Sequence, residues 1–258
     1  MSAKSHALRT AAGALLLLPV LSQAENNVVT LLPVDDAYLS NSGAESDMPW
    51  NTVVLEQFGY YGTIKRPLLK FDLSQIPAGA TVISARLTLQ LIGIYGGQGH
   101  ESSAWRMPSD AWAEETVTWN SYDQSGATCV AVLPGTNEHG PRMWNVDMSE
   151  WNYADDLADG AVTFMVRWHD FASGYETDGY YKANSFSSKE GTAPPTLTIE
   201  FESGCTADFN HDGFVNGDDY DSFASLFELG DLGADINNDS FINGDDYDLF
   251  ASAFENGC

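Results

Sequence analysis

The stretch Ala80-Thr81-Val82-Ile83-Ser84-Ala85-Arg86-Leu87-Thr88-Leu89-Gln90-Leu91 decides the fold of most of this chain. Leu87, Leu89 and Leu91 alternate with Arg86, Thr88 and Gln90, the period-two pattern of a strand with one buried and one solvated face. Shorter runs of the same kind follow at Thr116-Val117-Thr118-Trp119, Val162-Thr163-Phe164-Met165-Val166 and Leu197-Thr198-Ile199-Glu200-Phe201. Turn-forming clusters such as Gly93-Ile94-Tyr95-Gly96-Gly97 and Pro134-Gly135 separate them. Only Ala154 to Leu157 suggests a helical turn. From about Val28 to Phe201 the pattern predicts a mainly β unit, a jelly-roll-like antiparallel β-sandwich. Trp112, Trp119, Trp144 and Trp168 are its large core pieces, and Cys129, among Thr128, Val130 and Val132, reads as a buried thiol.

Beyond this body one unit is written twice between Cys205 and Cys258. Asp208, Asn210, Asp212, Asn216 and Asp219 recur as Asp235, Asn237, Asp239, Asn243 and Asp246 at a constant offset, so this is an internal repeat. Counted from Asp208 or Asp235, the oxygen-bearing side chains fall at loop positions 1, 3, 5, 9 and 12, the spacing of an EF-hand calcium loop. Phe214 and Phe241 supply the position-7 carbonyls. Position 6 is Gly213 in the first loop and Ser240 in the second, so the second loop is expected to be strained and the weaker binder. Ser240 also completes an Asn238-Asp239-Ser240 sequon, read as chance because a glycan there would block the loop. After each loop an apolar stripe recurs at helical spacing: Tyr220, Phe223, Ala224 and Phe227, then Tyr247, Phe250, Ala251 and Phe254. The expectation is a small C-terminal all-α domain of two EF-hand-like loop-helix units holding two calcium ions. An acidic solvated tail is the competing reading, but tails do not space aromatics so regularly.

The N-terminus carries Lys4 and Arg9, an apolar run from Ala14 to Leu21, and Ser22-Gln23-Ala24, which together read as a cleaved signal peptide over residues 1–24. The apolar run is too short to span a bilayer, so the expected location is secreted, extracellular or associated with a cell surface. The domains are then 1–24, 25–204 and 205–258. With 11 Lys and Arg against 37 Asp and Glu, the net charge of −26 excludes nucleic acid and disfavours polyanions as partners. Cys205 and Cys258 bracket the repeat, at positions that meet when two loop-helix units pack. In an exported protein they are expected to form a disulfide.

Two resemblances follow from these residues. The duplicated loop-helix units resemble a type I dockerin, which implies calcium binding and attachment to a cohesin-like or cell-surface protein. The dockerin partner-contact positions are here Gly217-Asp218 and Gly244-Asp245, and the repeat has no Lys or Arg. In the body, Asp36-Ala37-Tyr38-Leu39-Ser40, Lys65-Arg66-Pro67-Leu68-Leu69-Lys70-Phe71-Asp72-Leu73-Ser74, Trp112 to Asn120, Phe186-Ser187-Ser188-Lys189-Glu190 and Pro194 to Ile199 resemble DNRLRE domains. These are also described as the carbohydrate-binding module family 96 type. That resemblance implies a β-sandwich found beside polysaccharide lyases and hydrolases, with glycan binding in some members.

No Gly-x-Ser-x-Gly elbow, His-Glu-x-x-His motif or Cys-His pairing is present; Trp168-His169-Asp170 could orient one imidazole but brings no third group. Tyr180-Tyr181-Lys182-Ala183 echoes a strand of jelly-roll alginate lyases, without the accompanying Arg and Gln-x-His strands. For glycan binding, Trp50, Tyr60, Tyr61, Tyr95, Trp105, Tyr175, Tyr180 and Tyr181 lie in or near Gly-rich loops, where aromatic faces can stack on sugar C–H groups. Which of them bind is not set by the sequence. Asp35 and Asp36 are candidate ligands for one further structural calcium. The reading is a secreted, non-catalytic polysaccharide-binding module with a calcium-dependent attachment domain. The alternatives are a lyase or glycosidase on the same sandwich, or a structural surface protein.

Overall fold

The computed structural model describes residues 20–21, 25–77, 80–96, 100–169, 181–203, 205–210, 214–237 and 239–256. The chain divides into two compact units, one of Glu25–Gly204 and one of Cys205–Cys258 with Met1–Ala24. Most of the leader read from the sequence lies outside the described residues. Strand β1 (Val20–Leu21) belongs to the smaller unit, where it pairs antiparallel with Phe214–Val215.

The larger unit is mainly β and wholly antiparallel. Its strands are β2 (Glu25–Leu31), β3 (Pro33–Ser40), β4 (Val54–Tyr60), β5 (Thr63–Asp72), β6 (Thr81–Tyr95), β7 (Glu101–Arg106), β8 (Thr128–Leu133), β9 (Gly140–Asn145), β10 (Ala161–His169), β11 (Lys182–Ser187) and β12 (Thr196–Ser203). They form one curled 11-stranded sheet in the order β2-β12-β6-β11-β4-β5-β10-β7-β8, with β3 added to β5 and β9 to β6. Thr81 to Leu91 form the start of β6, the longest strand at 15 residues, in which Leu87, Leu89 and Leu91 are fully buried.

Two apolar cores use both faces of β5. Leu69 and Phe71 join Leu55, Leu89, Trp144, Phe164 and Phe186 in the larger core. Leu68 points the other way, into a smaller core with Leu39, Met107, Trp112, Val117, Tyr122 and Met165. Covering both faces explains why β5 reads Pro67-Leu68-Leu69 instead of alternating. The cover on the second face is the segment 107–127, and here the sequence expectation needs correcting. Thr116-Val117-Thr118-Trp119 is not a strand: the Val117 N–H donates to the Ala113 carbonyl at 2.9 Å, and Thr118 and Ser121 exchange side-chain hydrogen bonds in a turn. Four residues carry too little periodicity to separate a strand from a turn with one buried side chain. Trp119 is likewise half-buried with the Arg66 guanidinium 4.8 Å above its ring, whereas Trp112, Trp144 and Trp168 are buried. Cys129 is a free, half-buried thiol on β8.

The expected helical turn is α1 (Tyr153–Asp159), closed by Gly160 in the left-handed region. Asp156 on α1 is fully buried, held by the Arg106 guanidinium and the Trp151 indole N–H. Burial pushes its carboxyl pKa up and the Arg106 hydrogen bonds oppose that shift.

The smaller unit contains Phe214–Val215 (β13), α2 (Gly217–Leu229) and α3 (Gly244–Asn256), with a short 3-10 turn at Leu232–Ala234. Its core is Phe223, Ala234 and Phe250, with the two phenylalanine rings stacked at 4.2 Å and 12°. The equivalent residues of the two copies thus bury on each other.

Candidate functional site

Alternation along β4 sends Leu55 and Gln57 inward and Glu56, Phe58 and Tyr60 outward. On the neighbouring strands Phe58 lies opposite Lys65 of β5 and Ala183 of β11, and Ala183 lies opposite Tyr95 of β6. Ser185 lies opposite Glu56 and Gly93. Small residues at Gly93, Ala183 and Ser185 therefore make a low floor between taller side chains. A bulge in the β6–β11 ladder, between Ser185 and Phe186, ends the regular register here.

The result is a cleft of about 360 Å³ lined by Ser42, Glu45, Glu56, Phe58, Thr63, Lys65, Tyr95, Tyr181, Ala183 and Ser185. Lys65 Nζ bonds to Glu56 at 2.7 Å, stands 3.9 Å from Glu45, and lies 5.1 Å from the Tyr38 ring and 5.7 Å from the Trp50 ring. Tyr38 and Trp50 are themselves stacked at 5.4 Å, and Glu45 accepts from the Ser40 hydroxyl at 2.8 Å. One ammonium against two carboxylates leaves the cleft acidic, with abundant acceptors for hydroxyl groups.

An exposed aromatic patch continues from this cleft. Tyr60 packs edge-on against Tyr61 at 4.5 Å and against Tyr181 at 5.5 Å, and Tyr181 against Phe58 at 5.3 Å. Tyr61, Tyr95 and Tyr181 are 76%, 60% and 48% exposed. The hairpin between β4 and β5 positions the first of them. Tyr61 and Gly62 both have positive φ, 43° and 86°, as a two-residue primed turn demands. Gly is at ease there, but a bulky residue in the left-handed region is unusual. Gly96, at φ +63°, positions the second: a Cβ on it would stand 2.2 Å from the Tyr181 carbonyl oxygen, so only glycine lets the end of β6 approach so closely.

Of the aromatics named from the sequence, the fold brings Tyr60, Tyr61, Tyr95 and Tyr181 together. Trp50 is half-buried against Tyr38. Trp105 lies apart, with Arg167 4.6 Å over its ring. Tyr175 and Tyr180 lie outside the described residues. Glu45, Glu56 and Lys65 were not foreseen, because single charged residues carry no local signature. Behind the cleft, Asn184 donates to Gln57 at 3.1 Å and Gln57 to Ser102 at 2.9 Å, a buried polar chain that reading β4 by parity could have found. His169 is buried beside Trp168 at the end of β10; its sequence neighbour Asp170 lies outside the described residues.

In the smaller unit, the last carboxylate of each loop turns inward. Asp219 and Asp246 are fully buried. Asp219 accepts from the N–H groups of Asn210 (3.1 Å) and Asn216 (2.8 Å); Asp246 accepts from Ile236 (2.9 Å) and Asn243 (2.9 Å). Asn216 and Asn243 return a bond from the N–H of Asp218 and of Asp245, both 2.8 Å, so positions 9 and 12 also cap the following helix. Asp235, Asn237 and Asp239 turn alternate side chains back onto loop N–H groups, and Ser240 has φ +69°. The described side chains of the two loops offer oxygen donors, which fits a hard cation. Asp212 lies outside the described residues, as does Cys258, the partner expected for the buried Cys205.

No curated protein matches the chain. Residues 27–201, nearly the whole β unit, match the family model of carbohydrate-binding module family 96, and the chain belongs to that family.

Proposed function

We propose that this protein is a non-catalytic polysaccharide-binding module and that the cleft between β4, β5, β6 and β11 is its glycan site. One observation carries the reading: exposed tyrosines at Tyr61, Tyr95 and Tyr181 border an acceptor-rich cleft in a carbohydrate-binding-module framework. Tyrosine faces cover sugar C–H groups while Glu45, Glu56, Thr63 and Ser185 take hydroxyls. The acidic balance of the cleft favours a neutral polysaccharide over a polyuronate. The curled sheet is read as a jelly-roll-type sandwich.

The C-terminal unit is proposed to be a pair of EF-hand-like units binding two Ca²⁺. The ligands are Asp208, Asn210, Asp212, Phe214, Asn216 and Asp219 in one loop, and Asp235, Asn237, Asp239, Phe241, Asn243 and Asp246 in the other. Bound calcium would neutralise carboxylates that the loops already gather. A Cys205–Cys258 disulfide would close the unit, and a dockerin-like attachment to an extracellular protein is its proposed role, after export directed by residues 1–24. The test is retention on soluble and insoluble polysaccharides with and without EDTA, assayed in parallel for new reducing or unsaturated ends. Retention without product supports a binding module; product release supports the enzyme alternative.

A further inference from the structure

A second group of acidic side chains lies in the β unit, outside the lining of the proposed glycan cleft. Asp36 on β3, Glu114 in the segment between β7 and β8, and Glu190 in the turn before β12 each bring a carboxylate oxygen within 4.8 Å of the others. Oxygen ligands stand 2.3–2.6 Å from calcium, so atoms at such separations can share one ion. The residues are 78 and 76 positions apart along the chain (114 − 36 and 190 − 114). In the β3–β5 ladder Asp35 lies opposite Lys70 and Asp36 opposite Leu69, so strand alternation turns the two neighbouring aspartates to opposite faces. Asp35 pairs with Lys70 at 2.6 Å, while Asp36 turns inward and is fully buried.

The group is incompletely satisfied. Asp36 Oδ2 accepts from the Lys189 N–H at 2.7 Å, but Oδ1 has no hydrogen-bond partner. An unpaired buried carboxylate oxygen is costly. Lys189 Nζ reaches Glu114 at 2.8 Å and Glu190 at 3.0 Å, and Glu114 also accepts from the Asp36 N–H at 3.2 Å. Three carboxylates against one ammonium leave two negative charges, which a divalent cation neutralises. Burial pushes the Asp36 pKa up to about 7, and the hydrogen bond from the Lys189 N–H opposes that shift.

We propose that Asp36, Glu114 and Glu190 form a calcium site that pins three distant segments of the β unit. The irregular, all-carboxylate donor set suits calcium better than magnesium, which demands a near-ideal octahedron. Water and backbone carbonyls complete the shell. Its role is structural, since β3 also carries Tyr38 and Ser40, which back the proposed glycan cleft.

The experiment uses the full chain with both repeat loops silenced (Asp219→Ala with Asp246→Ala), so that its outcome is independent of the repeat. Calcium and terbium titrations of this protein should show one saturable site. Calcium at about a hundred times the dissociation constant should raise the Tm of the β unit by roughly 5–10 °C. Adding Asp36→Asn should abolish both effects. Glu190→Gln, on the exposed side of the cluster, should weaken calcium binding about tenfold or more while leaving the Tm in EDTA near its starting value, and so covers the case in which Asp36→Asn does not fold. If the silenced protein binds no calcium, or if Asp36→Asn or Glu190→Gln binds calcium as the silenced protein does, the proposal is overturned. Asp36 is then a carboxylic acid held neutral by its burial.

Discussion

Tyr61 occupies a backbone conformation that asparagine would hold with less strain. A Tyr61→Asn change creates Asn-Gly, the favoured pair for this turn. It should therefore stabilise the protein by about 1 kcal/mol while weakening retention on the bound polysaccharide, as measured by paired thermal melts and affinity electrophoresis. A gain in stability without any loss of retention would place Tyr61 outside the site. Ser240 offers the complementary case. Its φ of +69° is where glycine belongs, so Ser240→Gly should stabilise the C-terminal unit by about 1 kcal/mol and tighten calcium at the 235–246 loop. A terbium titration that distinguishes the two loops checks this. The strain at Ser240 was readable beforehand because position 6 of the loop pattern has a known geometric demand. The strain at Tyr61 was not, because nothing in Tyr60-Tyr61-Gly62-Thr63 marks which residue takes the positive φ until the strand register is known.

At the scale of elements, β6 and β12 were legible because one face meets core and the other meets water. The stretch from Ala80 to Leu91 announced β6 for that reason. Legibility failed in two physical circumstances. Thr116–Trp119 imitates a strand because a turn can also bury one valine and expose its neighbours. The β5 run Pro67-Leu68-Leu69 gives no period because both faces are covered. The cleft shows the same division: its tyrosines were visible as aromatics among glycines, whereas Glu45, Glu56 and Lys65 gain meaning only when the 3-10 turn Gly43–Asp47 meets β4 and β5. Helix α1 carries a prediction of its own. Asp156 is fully buried and held by Arg106, so Arg106→Met leaves a buried carboxylate without its cation. The expected cost is about 3–5 kcal/mol, measured by urea denaturation. Replacing Arg106 and Asp156 together by apolar residues should restore much of it. A single variant as stable as the parent would contradict this account of the α1 anchor.

For the whole molecule, the excess of 37 acidic over 11 basic residues is the dominant electrostatic fact. Part of it is concentrated in the C-terminal loops, where the backbone N–H groups can only partly offset clustered carboxylates. The helices α2 and α3 are therefore expected to depend on calcium. In EDTA their far-UV signal should fall, and it should return on adding calcium in excess. Full helicity in EDTA would show that the Phe223–Phe250 core holds the unit without metal. The proposed attachment role would then operate only in a calcium-rich medium.

The tyrosine-bordered cleft is proposed to bind polysaccharide. The direct measurement is retention of the full chain on a panel of neutral and acidic polysaccharides, alongside Tyr95→Ala and Tyr181→Ala. Retention is expected on at least one neutral polysaccharide, with a loss of about fivefold for each tyrosine removed, since one stacking contact contributes on the order of 1 kcal/mol. Absence of retention on every glycan, or retention that both variants keep in full, would contradict that proposal.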